Sequence, residues 1–325
     1  MRYLVTGAAG FIGSSISDAL LADGHEVVGI DCFTDYYDTA IKRRNVAGAL
    51  EHVGYELHEF DLATTDIPDA ALEVDGVFHQ AAQAGVRASW GSEFATYTQC
   101  NVLATQRVLE QVVRASERHG RGRPTPVVYA SSSSVYGNAE QRPTVETALP
   151  APISPYGVTK LAAEHLVDTY RHEFGVPGTS LRYFTVYGPR QRPDMAFNKF
   201  IRSALAGTPI GVFGDGNQSR DFTFITDIVA GNRAAMHALT AGTNMGGTYN
   251  LGGGSTVTVR EIVDMLADIL GRAVAAEYGD TQKGDVRHTS ADTSAARAAI
   301  GFDPKVDLRT GLAREVEWMQ ALISD

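Results

Sequence analysis

Short apolar runs alternate with helix-length segments over the first 130 residues of the chain. Strands are predicted where β-branched and aromatic residues cluster between turn residues. Apolar residues at helical spacing predict a helix from residue 10, which Gly24 is well placed to end, and a second from Phe94 to Arg118. The predicted strands have the sequences RYLVTG, HEVVGID, ELHEFDL, GVFHQAA and PVVYASSS.

This alternation of strand and helix indicates an α/β fold, in which right-handed crossovers build a doubly wound (Rossmann) parallel sheet. After residue 184 the sequence changes to turns rich in Gly, Pro, Asp and Arg, interrupted by amphipathic helices such as Val259 to Leu270. We expect a smaller C-terminal α/β lobe there that closes over a ligand. The predicted division assigns 1–184, with a return over 221–248, to a dinucleotide-binding domain, and 185–220 with 249–325 to a substrate-binding lobe.

Composition excludes several classes of function. The 325 residues carry a formal charge of −10, which provides no general basic field for nucleic acid or an anionic membrane. A phosphate-bearing partner would therefore have to be a small ligand held by a few local groups.

The two cysteines, Cys32 and Cys100, are too few for a disulfide framework or a four-ligand zinc site, and no metal is expected. We expect both to be buried thiols. The chain enters a strand at once, without the features of a signal peptide, and has no run of 18 apolar residues. These features predict a soluble, cytoplasmic protein.

The segment TGAAGFIG lies between the first predicted strand and the first predicted helix. In that position Gly7, Gly10 and Gly13 allow a tight turn and a close approach of the backbone to a pyrophosphate. Asp31 ends the second strand, eighteen residues past Gly13, where a carboxylate would accept hydrogen bonds from the ribose hydroxyls. Cys32 follows it and no arginine is adjacent, so NAD is favoured over NADP.

Tyr156 and Lys160 lie four residues apart after Pro155, which predicts a helix start, and would share one face of that helix. An ammonium near the phenol, together with a positive nicotinamide, is expected to lower the pKa of Tyr156 from about 10 toward working pH. Tyr156 could then act as a general base. Ser131 to Ser134 follow a predicted strand and would emerge at the carboxyl end of the sheet, where open α/β folds bind ligands.

Together TGAAGFIG, Asp31, SSSSVYG and SPYGVTK resemble the extended short-chain dehydrogenase/reductase family over essentially the whole chain. The resemblance implies that Tyr156 is the catalytic base, that Lys160 holds the nicotinamide ribose and tunes the base, and that Ser132 hydrogen-bonds the reacting hydroxyl. It also implies contacts to NAD from Phe11, Ile12, Asp61, Leu62, Ala81, Ala82, Asn101 and Tyr183.

Within that family, residues 182–196 and 81–87 look like those of UDP-glucuronate 4-epimerases, although UDP-glucose 4-epimerases usually carry asparagine at the position of Thr185. The similarity assigns Arg192 and Arg220 to the diphosphate, Phe213 to the uracil region and Asp285 to the ribose, and Arg287 is a further candidate. Substrate-binding residues are thus Arg87, Ser132, Ser133, Ser134, Thr185, Arg192, Phe213, Arg220, Asp285 and Arg287.

Two departures narrow the expected chemistry. Related 4,6-dehydratases carry Asp-Glu where Ser133 and Ser134 stand, and UDP-glucuronate decarboxylases carry glutamate at the position of Ser134. The sequence therefore predicts inversion at carbon 4 of a UDP-sugar, UDP-glucuronate to UDP-galacturonate, through a 4-keto intermediate. The alternatives are a UDP-glucose or UDP-N-acetylhexosamine 4-epimerase, a decarboxylase, and a non-catalytic NAD sensor. Family likeness also predicts a homodimer formed through a four-helix bundle.

Overall fold

A computed structural model describes residues 1–118, 120 and 122–324. Within that part of the chain, the five predicted strands of the first half are present, and so are the helix after the first strand and the helical stretch 94–118, while a helix at Thr39–Leu50 was not predicted. The strands are β1 (Arg2–Thr6), β2 (Glu26–Asp31), β3 (Tyr55–Glu59), β4 (Gly76–His79), β5 (Val127–Ser132), β6 (Gly178–Tyr183), β7 (Thr185–Tyr187), β8 (Ile210–Phe213), β9 (Ser219–Phe224), β10 (Gly246–Leu251), β11 (Thr256–Thr258) and β12 (Ala276–Gly279).

The helices include one irregular segment. Residues Thr98–Leu103 form a π-helical stretch that joins two α-helices into one continuous element ending at Arg118. The α-helices are α1 (Phe11–Ala22), α2 (Thr39–Leu50), α3 (Phe94–Tyr97), α4 (Ala104–Arg118), α5 (Pro155–Phe174), α6 (Ala196–Ala206), α7 (Ile225–Thr240), α8 (Val259–Leu270), α9 (Ser294–Ile300) and α10 (Leu308–Ser324).

Seven parallel strands form the central sheet, in the order β10-β6-β5-β4-β1-β2-β3. Successive side chains of β1 point to opposite faces, as a strand requires. Tyr3 and Val5 join the apolar cluster that includes residues of α1 and α7, whereas Leu4 joins the cluster that includes α4 and α5. Both faces of the sheet are therefore covered, which confirms the doubly wound α/β class.

The second half of the chain builds two small sheets, β11-β9-β7 and β12-β8, and also contributes to the central one. Helix α7 packs against α1, and β10 pairs with β6 along the edge of the central sheet. The strand begins within the segment 221–248 assigned to the first domain and continues three residues beyond it. The division into two domains itself stays a proposal.

One predicted helix has the bounds that the sequence indicated, and another begins where the sequence indicated. Helix α8 spans Val259–Leu270 and begins with a capping box in which Thr258 and Glu261 satisfy each other's backbone N–H groups. Helix α5 begins at Pro155, and the hydroxyl of Ser154 accepts a hydrogen bond from the N–H of Gly157 at 3.1 Å. This cap fixes where Tyr156 leaves the loop and enters the helix.

Candidate active site

The turn between β1 and α1 brings two backbone segments unusually close together. Gly7 has φ +66°, and a Cβ there would lie 2.8 Å from the N atom of Ala81. A Cβ on Gly13 would lie 2.1 Å from the carbonyl oxygen of Gly7. Gly10 is the N-cap residue of α1. Because glycine has no side chain to accept from them, the first N–H groups of the helix are open to an anion. This turn fits a pyrophosphate.

The side chain of Asp31 is fixed where β2 ends. Its Oδ2 accepts a hydrogen bond from the N–H of Ala9 at 3.1 Å, and its Oδ1 accepts one from the N–H of Phe33 at 2.8 Å. Lys42 lies 3.7 Å from the carboxylate and donates to Thr34 Oγ1 at 3.0 Å. Sequence reasoning missed Lys42, because it lies eleven residues past Asp31 and α2 returns it to the site.

A single cleft at the carboxyl ends of the central strands joins the glycine turn to Tyr156 and Lys160. Most of the residues predicted to bind the cofactor line it. They are Gly7, Gly10, Phe11, Ile12, Gly13, Asp31, Asp61, Leu62, Ala81, Ala82, Tyr156, Lys160 and Tyr183. Asn101 is buried and does not line the cleft.

Both cysteines also line this cleft, which corrects the expectation that they are buried thiols. Cys32 is exposed and Cys100 is partly exposed. Cys32 follows β2 and Cys100 lies in the π-helical stretch, and both line the cleft instead of packing in an apolar core. Partial burial still raises the pKa of both thiols, that of Cys100 to about 11.

The phenol of Tyr156 lies near the hydroxyl of Ser132. Desolvation raises the pKa of Tyr156, while Ser132 and the charge of Arg192 lower it. The sequence led us to expect a pKa below 10 through Lys160 and the nicotinamide. In the protein chain itself, desolvation is the largest effect and Arg192 supplies the nearby positive charge.

Lys160 lies one turn further along α5 and is almost completely buried. Its Nζ is 6.0 Å from the centroid of the Tyr156 ring and donates to the carbonyl oxygen of Ala130 at 2.8 Å. Burial lowers the pKa of Lys160 to about 7, and the charge of Glu164 opposes that change. The ammonium of Lys160 is therefore close to losing its proton at neutral pH.

Arg192 is the predicted substrate residue that lines the cleft itself. Its Nε lies 2.9 Å from Asp194 Oδ1, and Tyr36 donates to the same carboxylate at 3.4 Å. Tyr36 follows β2 and was not predicted as a site residue. The contact joins the loop after β2 to the loop after β7 across the cleft, which no sequence pattern indicates.

Four other predicted substrate residues lie close to one another. Arg87 forms an ion pair with Asp285 at 2.6 Å, and its guanidinium lies 4.2 Å from the centroid of the Phe213 ring. Burial and the charge of Arg87 lower the pKa of Arg220, while Asp285 raises it. The side chain of Arg287 instead pairs with Asp215 at 3.2 Å on the exposed surface. The carbonyl oxygen of Arg287 nevertheless accepts a hydrogen bond from Arg220 Nη1 at 3.0 Å, so the backbone of Arg287 lies beside this group and only its side chain is directed elsewhere.

Ser133, Ser134 and Thr185 lie at neighbouring strand ends. Ser132, the last residue of β5, is in register with Tyr183, the last residue of β6. Ser133 and Ser134 begin the short helical turn after β5, and Thr185 begins β7. Hydroxyl groups thus follow both strands at the edge of the sheet where Tyr156 lies.

Two further features are absent from the residues that the structure describes. None of their helices is long and apolar enough to cross a membrane. No three His, Cys, Asp or Glu side chains among them are grouped so that they could hold a metal ion.

Comparisons with known proteins agree with this geometry. The chain is 42% identical over 326 residues to an uncharacterized UDP-glucose epimerase, YtcB, of Bacillus subtilis, covering 99% of each protein. It is 35% identical over 320 residues to the UDP-glucuronate 4-epimerase of Thermodesulfobacterium geofontis, covering 97% of this chain and 95% of that one.

A solved structure is similar over the same length. The UDP-glucuronic acid 4-epimerase of Bacillus cereus, in complex with UDP-glucuronic acid and NAD, superposes with a TM-score of 0.91 and 39% identity, covering 99% of this chain and 100% of that one. The family profile described as NAD dependent epimerase/dehydratase matches residues 3–252. The chain belongs to the NAD-dependent epimerase/dehydratase family, as its glycine turn, Asp31 and the Tyr156–Lys160 pair predict.

Proposed function

We propose that the protein inverts carbon 4 of UDP-glucuronate to give UDP-galacturonate, through a 4-keto sugar and with NAD retained between the two half-reactions. The observation that carries the proposal is the placement of Tyr156 and Lys160 in the same cleft as the glycine turn and Asp31. A base and a dinucleotide site in one cleft are what oxidation of a sugar hydroxyl requires.

The residues that line the cleft fit NAD. The glycine turn would hold the pyrophosphate, Asp31 the adenosine ribose, and Lys160 with Tyr183 the nicotinamide half. When bound, NAD supplies the oxidation and reduction at carbon 4. The positive charges of Arg192 and of a bound nicotinamide would stabilise the phenolate form of Tyr156 against desolvation, and in that form the residue removes the proton from the 4-hydroxyl and later returns it.

A 4-keto glucuronate is a β-keto acid and loses CO₂ when its carboxylate stands perpendicular to the carbonyl plane. The protein must therefore hold the carboxylate in another orientation. In the proposal the hydroxyls of Ser133, Ser134 and Thr185 do this, since neutral donors make strong hydrogen bonds to an anion without supplying a proton to the reaction. Their position at two adjacent strand ends supports this role.

The group formed by Arg87, Phe213, Arg220 and Asp285 supports a site for the uridine diphosphate. In the proposal Phe213 contacts the uracil, Asp285 accepts from the ribose hydroxyls, and Arg220 with Arg192 binds the diphosphate. Guanidinium groups match phosphate oxygens in charge and geometry. Arg287 is left with a lesser role, because its side chain pairs with Asp215.

We also propose that two copies associate through the helical stretch 94–118 and α5. Apolar side chains are exposed on both: Leu103 (46%) and Phe94 (40%) on the first, and Val158 (47%) and Phe174 (50%) on the second. Two such faces from each copy would form a four-helix bundle. Sedimentation of the purified protein at two concentrations tests this association.

The decisive experiment for the activity is incubation of the protein with a panel of UDP-sugars, followed by NMR of the products. UDP-galacturonate from UDP-glucuronate is the expected result. Turnover of UDP-glucose or UDP-N-acetylglucosamine alone would instead support those epimerases, and a UDP-pentose as main product would support a decarboxylase. Tyr156→Phe should lower the rate at least about 100-fold and leave NAD bound. A wild type inactive on every sugar would support the NAD sensor.

A further inference from the structure

Glu164, one turn after Lys160 on α5, forms a buried ion pair with Arg182. Arg182 Nη2 is 2.7 Å from Glu164 Oε2, and Arg182 Nε donates to Glu164 Oε1 at 2.9 Å. The hydroxyl of Ser131 also donates to Glu164. Glu164 and Arg182 are each only 5% exposed. Removing two charges from water is costly, and replacing such a pair by apolar residues is often neutral or stabilising. Stability alone is therefore a weak explanation for this pair.

Position on the helix gives a better one. Glu164 follows Lys160 by four residues and Tyr156 by eight, so the three side chains share one face of α5. Lys160 is buried, and its ammonium donates to the carbonyl oxygen of Ala130 at 2.8 Å and lies 5.0 Å from the centroid of the Tyr129 ring. Burial drives the pKa of Lys160 down to about 7, and Glu164 acts in the opposite direction.

The other titratable groups around Lys160 supply no negative charge near neutral pH. Burial lowers the pKa of His79 to about 3, and this residue is neutral. Burial raises the pKa of each neighbouring tyrosine, so the phenols are neutral as well. Arg182 is a cation, as is Arg192 near Tyr156. The titratable and charged groups around Lys160 are thus His79 on β4, Tyr129 on β5, Tyr156 and Glu164 on α5, Tyr183 and Arg182 on β6, and Arg192 on the loop after β7.

We propose that Glu164 is a positioning residue whose carboxylate keeps the Lys160 ammonium charged inside the protein. This inference rests on the proposed function, in which Lys160 holds the nicotinamide ribose beside Tyr156. Arg182 balances the charge of the carboxylate, and Arg182 Nη1 also donates to the hydroxyl of Tyr136 at 2.8 Å. Tyr136 ends the turn that carries Ser133 and Ser134. One buried pair thus fixes both the catalytic helix and the serine turn.

Titration of Lys160 by NMR tests the proposal directly. The chain has five lysines, so protein labelled with ¹³C at lysine Cε gives few signals, and Lys160→Met identifies the one from Lys160. In Glu164→Gln we expect the titration midpoint of Lys160 to fall by about one pH unit or more, as loss of a nearby opposite charge requires. The pH at which the epimerisation rate is half-maximal should change with it.

A matched control separates this effect from loss of stability. Asp227 is a buried carboxylate on α7 that accepts hydrogen bonds from the N–H groups of Lys305 and Val306, both at 3.1 Å. Asp227→Asn should destabilise the fold and leave the midpoint of Lys160 unchanged. A merely structural role for Glu164 would give the same result in Glu164→Gln, and that outcome overturns the proposal.

Glu164→Gln leaves Arg182 unpaired and could prevent folding. The double variant Glu164→Gln/Arg182→Met removes both charges and avoids a buried unpaired cation. A lower midpoint of Lys160 in this variant also supports the proposal, and an unchanged midpoint contradicts it. The titration needs no turnover. If the wild type proves inactive on UDP-sugars, the proposed function fails while the effect of Glu164 on Lys160 is still measured.

Discussion

The side-chain amide of Asn101 is hydrogen-bonded to the backbone of Gln83 in both directions. Its Oδ1 accepts from the N–H of Gln83 at 2.7 Å, and its Nδ2 donates to the carbonyl oxygen of Gln83 at 3.0 Å. Nδ2 also donates to Thr159 Oγ1 at 3.0 Å, and Thr159 donates to the carbonyl oxygen of Tyr156 at 2.8 Å. The side-chain amide of Asn101 therefore connects Gln83, which lines the cofactor cleft, to helix α5, which carries Tyr156.

Asn101→Ala should destabilise the fold and weaken retention of NAD. Three buried hydrogen bonds are lost, at about 1 kcal/mol each, and their partners are left unpaired. We expect a loss of about 3 kcal/mol in the free energy of unfolding, measured in urea, and a lower NAD content in the purified protein. Thr98→Ala is the control, because Thr98 lies in the same π-helical stretch with an exposed hydrogen bond to Phe94. Equal effects of the two substitutions would contradict this assignment.

Asp31→Ser should change the cofactor preference. The carboxylate repels a 2′-phosphate, and Lys42 lies 3.7 Å from it. Without the carboxylate, Lys42 is free to form a charge-assisted hydrogen bond to that phosphate. We expect the ratio of NADP to NAD in purified protein to rise about tenfold, measured by chromatography of the released cofactor.

Lys42 provides the control for that experiment. In Asp31→Ser/Lys42→Met the repulsion is removed and the cation is absent. The gain in NADP should then be largely lost. A double variant with the same ratio as Asp31→Ser would show that Lys42 has no part in the selection.

Alanine at Ser133 and Thr185 should release the carboxylate of the keto sugar. The UDP-pentose by-product is then expected to rise relative to the epimer, because the carboxylate can reach the orientation in which CO₂ leaves. Product NMR measures the ratio. Thr169→Ala, on the exposed part of α5, is the control and should behave as wild type. An unchanged product ratio in the double variant would contradict the proposal that these hydroxyls hold the carboxylate.

Asp221 should make the stability of the fold depend on pH. Burial raises the pKa of Asp221 to about 6, and hydrogen bonds from the N–H groups of Gly253 and Ala291 partly oppose this. Because the folded protein binds the proton more tightly than the unfolded chain, the group stabilises the fold at low pH. That contribution, up to about 3 kcal/mol, is lost as the pH rises from 4 through 6.

Urea unfolding of wild type and Asp221→Asn at pH 4, 5, 6 and 7 measures this contribution. The stability of the variant should rise relative to wild type with increasing pH, since asparagine does not ionise. Parallel pH profiles of the two proteins would show that Asp221 has an ordinary pKa.

Elements with local signals were predictable from the sequence. Ser154 and Pro155 begin α5, and Gly24, with φ +77°, ends the turn after α1. Helix α2 was not predicted, because its sequence TAIKRRNVAGAL has no clear apolar stripe. The π-helical stretch Thr98–Leu103 was missed as well, since an i→i+5 turn leaves no periodicity that distinguishes it from an α-helix.

The candidate site was predictable where a motif fixes a position on one element. The glycine turn, Asp31, Tyr156 and Lys160 are of this kind. Contacts made by separate segments were not, such as those of Tyr36 with Asp194 and of Lys42 with Asp31. Burial of Cys32 was predicted wrongly, because residue type alone does not show that a strand ends at a cleft.

The position of β10 at the edge of the central sheet has a consequence for how the protein folds during synthesis. Strand β6 lies between β5 and β10, so its outer edge stays open until the ribosome has released residue 251. An open edge pairs readily with other chains. A fragment that ends at residue 184 should therefore aggregate, and the nascent chain has to keep this edge covered or unformed until β10 has emerged.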